Sequence, residues 1–314
     1  MILTRRSVLH LVAMASLTAT AGCASVPSVG SGEPKSEYTL DIDRVDAPPV
    51  EHALYEPDGD DRFGTPARTA LDAIIPDGRH TTYGYEPLPE NAYVQRGETY
   101  YQIKYVVTGR KRMERPLVRV ESIPEVDVPD DALRVNTLDR PSARVVKILH
   151  SNAVTNGESG SADLLRDDAY VLRRPAELES RLETGALDGR IVTMSEGDAW
   201  AYRVQVARQS ILETAHTVLA VDVADGRSAF REVVFGSRID AELAPSDLTG
   251  GEQTVLEQGL SRGQYVETAP LSSGFDGVLE ALELGNIETA QTGQLLWYDG
   301  KLYRYGVYIN DTSA

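Results

Sequence analysis

The chain has one cysteine, Cys23, in 314 residues. A disulfide within one molecule is therefore excluded, and stability has to come from an ordinary hydrophobic core. Lysine is scarce: Lys35, Lys104, Lys111, Lys147 and Lys301 are the whole set, and arginine supplies the other basic residues. Acidic residues outnumber basic ones 48 to 31, a net charge of −17. A surface of that sign repels a phosphate backbone, so nucleic acid is not an expected partner. Past Ala21 no apolar run approaches the roughly 20 residues that a membrane-spanning helix needs.

Motifs that carry chemistry are missing too. There is no His-Glu-x-x-His, no P-loop, no dinucleotide glycine pattern and no Cys-x-x-Cys. Gly157-Glu158-Ser159-Gly160-Ser161 approaches a nucleophile elbow but lacks its last glycine, and reads as a loop. Asp58-Gly59-Asp60-Asp61 lacks the spaced acids and closing glutamate of a calcium loop, and reads as solvated. His52, His80, His150 and His216 are scattered, without short ligand spacing. No metal, cofactor or catalytic residue is expected from these patterns. The one basic cluster, Gly109 to Arg115, reads as an exposed turn whose arginines pair with nearby acids; contact with anionic lipid is the alternative.

What is present begins at the N-terminus. Arg5 and Arg6 precede an apolar stretch from Val8 to Ala21, too short to span a membrane, and the segment closes Thr20-Ala21-Gly22-Cys23. The arginine pair resembles the twin-arginine export signal, and the small residues before Cys23 resemble the lipobox of secreted lipoproteins. The acidity and the few lysines are similar to proteins of extremely halophilic archaea. At molar salt the Debye length falls to about 3 Å, so crowded carboxylates are screened. The resemblance is thus to haloarchaeal twin-arginine-exported lipoproteins, over residues 1–23 and the composition alone. It implies export through Arg5 and Arg6, a lipid on Cys23, and residence on the outer face of the cell membrane, held by that lipid. No domain family is recognised for the body.

Residues 24–37 are rich in Ser, Gly and Pro and read as a tether. Beyond them the fold class expected is α+β, with mostly antiparallel sheets, short helices and three tandem units of about 90–100 residues. The expected division is 1–22 signal, 23–37 tether, then units 38–126, 140–225 and 226–314. Hairpins carry the expectation, with turn glycines Gly97, Gly197 and Gly300. Three residues after each comes Tyr100, Trp200 or Tyr303, and five after comes Gln102, Tyr202 or Tyr305. A strand is expected to open each unit (38–45, 143–149, 230–239), followed by a helix (67–75, 162–167, 253–260). Second helices are expected at 176–183 and 275–284, and further strands at 117–121 and 217–223.

Function is expected to be non-catalytic: an envelope binding or interaction module with a protein or glycan partner. Tyr100, Trp200, Tyr202, Tyr303 and Tyr305 are the candidate ligand-facing aromatics, unless they pack as core. The alternatives are a solute-binding component of an uptake system, or a hydrolase whose site, around His150 or His216, assembles only in the fold.

Overall fold

The computed structural model of the chain describes residues 35–57, 61–158, 160, 164–194, 200–285 and 289–312. Arg5, Arg6, Cys23 and the expected tether up to residue 34 lie outside them, as do Asp58, Gly59, Asp60, Ser159 and Gly197. The fold is α+β with mostly antiparallel sheets, as expected.

Two strands of 25 residues organise the first sheet: β4 (Thr99–Ile123) and β9 (Ala201–Asp225). They pair antiparallel from Thr99↔Asp225 to Ile123↔Ala201. At about 3.3 Å per residue the ribbon is roughly 80 Å along its contour. That is too long for a single core, and bulges near Tyr100 and Val107 adjust it. Each end is flanked separately. At one end β2 (His80–Tyr83) pairs with β9 and β3 (Tyr93–Arg96) with β4. At the other, β7 (Ala169–Val171) pairs with β4 and β8 (Ile191–Thr193) with β9. The two ends thus have the orders β3-β4-β9-β2 and β8-β9-β4-β7.

The second sheet repeats that order. β12 (Gln291–Tyr298) forms a hairpin with β13 (Lys301–Thr312). β13 pairs with β1 (Lys35–Val45), and β1 with β11 (Gln264–Thr268). A short parallel partner lies outside each hairpin: Leu54 beside Tyr93, β5 (Leu133–Arg134) beside β8, and β10 (Ala241–Leu243) beside β12.

One helix precedes the outer strand in each case and closes a core. α2 (Asp61–Ile74) contributes Ala67, Ala70 and Ile74 under Ile103 and Val218. α3 (Arg140–Val154) contributes Val145, Val146 and Leu149 under Val118 and Val204. α6 (Gly250–Arg262) contributes Val255 and Leu256 under Leu40, Leu296 and Tyr305. α5 (Arg227–Arg238) joins the sheets: Phe230 stacks on Tyr100 at 4.1 Å, and Phe235 meets Trp297 of β12 edge-on.

Several expectations are corrected. Residues 143–149 and 230–238 are helical, within α3 and α5. Asp139 accepts from the Ser142 N–H and Pro141 fixes the first turn, which turns a β-branched run into a helix. Phe230 and Val234 are buried one turn apart on α5. Where a helix was expected at 162–167, the described part is strand, Leu165–Arg166. The runs 117–121 and 217–223 are not extra strands but the far halves of β4 and β9. The run 38–45 is a strand, yet it pairs with β13 and β11 rather than with the first unit's own strands.

The hairpins also differ in detail. Asp299 and Gly300, both at positive φ, make the two-residue turn of the last one. In the first, Gly97 is the first turn residue rather than the second, because Arg96 pairs with Thr99. In the middle one Thr193 pairs with Ala201, so a two-residue turn at residues 196–197 does not fit the register. Tyr100, Trp200 and Tyr303 are therefore not equivalent positions.

Candidate functional site

Across the ribbon, the segments that leave β2 and β7 approach each other. The Gly84 N–H donates to the Thr214 carbonyl of β9, at 2.9 Å, and the Leu172 N–H donates to the Pro116 carbonyl of β4, at 3.0 Å. Between them Glu213 is buried, its side chain only 3% exposed. Its Oε1 accepts from Arg173 Nε at 2.9 Å and lies 3.4 Å from Arg115 Nε. Arg115 also donates to the Tyr83 carbonyl. Removing a buried carboxylate that sits between two guanidiniums would strand a buried arginine. Gly84 sits directly on this pair: at φ +76°, a Cβ here would come within 2.3 Å of Glu213 Oε2. Only glycine fits both the backbone and the space.

A second buried acid lies one loop away. Glu177, on the short helix α4 (Pro175–Leu178), accepts the backbone N–H groups of Arg173 and Arg174 on Oε2, at 2.9 and 3.0 Å. Its Oε1 accepts the Tyr170 hydroxyl at 2.8 Å and lies 3.7 Å from Arg144. Burial first, and then the Glu177 charge, raise the Tyr170 phenol well above its usual range, so it remains a donor.

These anchors frame two adjoining cavities that share Tyr85. One, of about 640 Å³, lies between α2 (Thr65, Pro66, Thr69) and the segments carrying Asp139, Pro141, Pro175 and Ala176. Asp139 Oδ1 is buried there with no hydrogen-bond partner among the described residues, while Oδ2 caps α3. The other, of about 610 Å³, is lined by the loop from Gly84 to Pro89 and by Arg144, Tyr170, Arg173, Arg174, Glu177 and His216. The Arg174 guanidinium lies 6.0 Å from the Tyr85 ring centre. Burial raises the Tyr85 phenol, and the charges of Arg174 and Arg115 partly offset that.

Comparison with protein-family models, curated proteins and solved structures finds no match to this chain. The geometry alone therefore carries the functional reading.

Of the five aromatics picked out in the sequence, four are core. Tyr100 stacks on Phe230, Tyr202 is hydrogen-bonded to His150 Nδ1 at 2.8 Å, and Tyr303 and Tyr305 lie in the second sheet's core. Tyr305 donates to the Leu282 carbonyl. Each hairpin needs cover on one face, and its rings provide it. Trp200 is the exception, 48% exposed with its ring edge-on to His150, away from the two cavities.

His216 is paired with Glu86, Nδ1 to Oε1 at 3.1 Å, on the wall of the second cavity. No serine, threonine or cysteine lines that cavity among the described residues. His150 meets Tyr202 and Trp200 rather than an acid, and burial lowers its pKa. Of the site's arginines only Arg115 was picked out in the sequence, within a cluster expected to be an exposed turn; residues 109–115 are strand in β4 and Arg115 is buried against Glu213. A further local signal is the pair Arg173-Arg174 ahead of Pro175 in a chain this acidic.

Proposed function

We propose that this chain is a non-catalytic binding module of the cell envelope, anchored outside the membrane by a lipid on Cys23 and built for high salt. Its body is read as three tandem units, on the strength of the strand order that recurs three times. Its ligand site is the cleft at Tyr85, where the first two units meet. The observation that carries this reading is the pair of adjoining cavities framed by the Arg115–Glu213–Arg173 ion pairs and the Glu177 hydrogen bonds. Buried charges paired across two segments hold loops in one geometry, and a fixed, concave, partly apolar wall with a few convergent polar groups suits a small ligand. A solute-delivery role is the second reading, favoured by the placement of the cleft between two halves.

Two measurements test it. Mass spectrometry of the protein extracted from membranes of cells exporting it should find the mature chain starting at Cys23 and carrying lipid. Cys23→Ser should release the protein into the medium; a chain still bearing residues 1–22 and retained in the cytoplasm would refute the address. For the cleft, a metabolite library screened by thermal shift should yield ligands whose effect is lost in Thr69→Trp, which fills the first cavity from α2. Ligands indifferent to that substitution would place the site elsewhere.

A further inference from the structure

Three arginines, Arg144, Arg173 and Arg174, line the second cavity, with Arg115 paired behind it, in a chain with a net charge of −17. Two buried carboxylates face them. Glu213 is consumed by Arg115 and Arg173. Glu177 spends its oxygens on two backbone N–H groups and the Tyr170 hydroxyl, leaving Arg144 at 3.7 Å, beyond a strong hydrogen bond. The Arg174 guanidinium has no ion pair among the described residues and stands over the Tyr85 ring. The Arg144 side chain is 39% exposed, so it reaches the cavity mouth with donors to spare. The remaining acid on the wall, Glu86, is turned to His216.

We infer that the second cavity takes an oxyanion of the ligand, a carboxylate or a phosphate, gripped by Arg144 and Arg174 above the Tyr85 ring. This rests on the cleft being the ligand site. Guanidinium forks match planar carboxylates and phosphate oxygens with two parallel N–H donors. The buried acids serve as second-tier anchors: they fix the backbone and the neighbouring arginine, touch Arg144 only through the 3.7 Å pair with Glu177, and leave the Arg174 fork without an ion pair among the described residues. Arginine rather than lysine suits the salt the composition implies, because a partly buried bidentate pair is screened far less than an exposed one. The adjoining cavity, with its prolines and the unpartnered Asp139 Oδ1, would receive the rest of the ligand and a donor on it.

The test uses the full mature chain at fixed sodium chloride concentration. Inorganic phosphate, succinate and neutral succinamide are titrated while the arginine Nε–H resonances are followed by NMR. Phosphate or succinate should shift Arg144 and Arg174 saturably, and succinamide should not. Arg144→Gln with Arg174→Gln should weaken the binding by about tenfold or more, since hydrogen bonds to charged groups carry that much. Arg174→Lys should fall between, because it keeps the charge but not the fork. A preference for phosphate identifies a phosphoryl ligand, and a preference for succinate a carboxylate. Equal shifts with succinamide, or binding untouched in the folded double variant, would overturn the oxyanion assignment. If library ligands bind the cleft and neither anion competes, the binding-module reading stands and this inference falls. If nothing binds in the cleft, both fall.

Discussion

The two halves of the long ribbon and the second sheet share one strand order but are filled differently. The ribbon halves exchange strands, β4 running from the first core into the second and β9 running back. Their shared middle therefore belongs to neither core, and the loops after β2 and β7 meet there over buried charge. In the second sheet β13 spans 12 residues and pairs along them with β1. Its core is apolar and aromatic, built on Leu40, Phe275, Leu296 and Tyr305. The same strand order thus encloses a plain core in the second sheet and borders a cleft at the middle of the ribbon. A buried ion pair is a poor source of stability compared with hydrophobic packing, so its cost is tolerated where position matters.

The sharpest way to break this comparison is Glu213→Gln. It removes the charge that Arg115 and Arg173 share, and should cost about 3–5 kcal/mol. Asp72→Asn, which breaks the exposed Arg96 pair at the edge of the same half, should cost about 1 kcal/mol or less. Both are read from urea unfolding at constant salt. Equal effects would mean that Glu213 is solvated and the contrast between the regions is empty.

Alkali should act on both regions in the same direction. Burial raises the phenols of Tyr85 and Tyr170 beside the cleft, and those of Tyr298 and Tyr305 in the second sheet. A raised folded pKa means that the folded chain holds the proton more tightly than the unfolded one. That stability is complete below the unfolded value of about 10 and is lost as pH rises through the folded values. Unfolding should therefore grow easier above about pH 10. Phenolate absorbance should appear late and together with loss of circular dichroism. Early phenolate formation without unfolding would show that the rings are open to solvent.

The smallest effect sharpens the second sheet. Thr249 caps α6, with Glu252 reaching back to its N–H. Thr249→Ala should cost about 1 kcal/mol and leave ligand binding in the cleft unchanged, as measured by thermal melting with and without ligand. A change in binding would mean that the second sheet is coupled to the cleft.

Local chemistry made much of the fold legible. Asp299-Gly300 announced its hairpin, because that dipeptide accepts two successive positive φ values. The apolar spacing of residues 253–260 gave α6 and that of 67–75 gave α2. Residues 143–149 misled, since Val145, Val146 and Ile148 favour strand until Asp139 and Pro141 start a helix upstream.

By itself the sequence determined the α+β class, the absence of disulfides, the acidic surface and the principal hairpins, because each depends on composition or on residues within a few positions of one another. Only the tertiary structure decided which strands pair across a hundred residues, that Tyr100, Tyr202, Tyr303 and Tyr305 turn inward, and that Arg115, Arg144, Arg173 and Arg174 converge. Those outcomes depend on how cores close and on which charges are left between them. The energy that settles them comes from burial, which no local window of sequence contains.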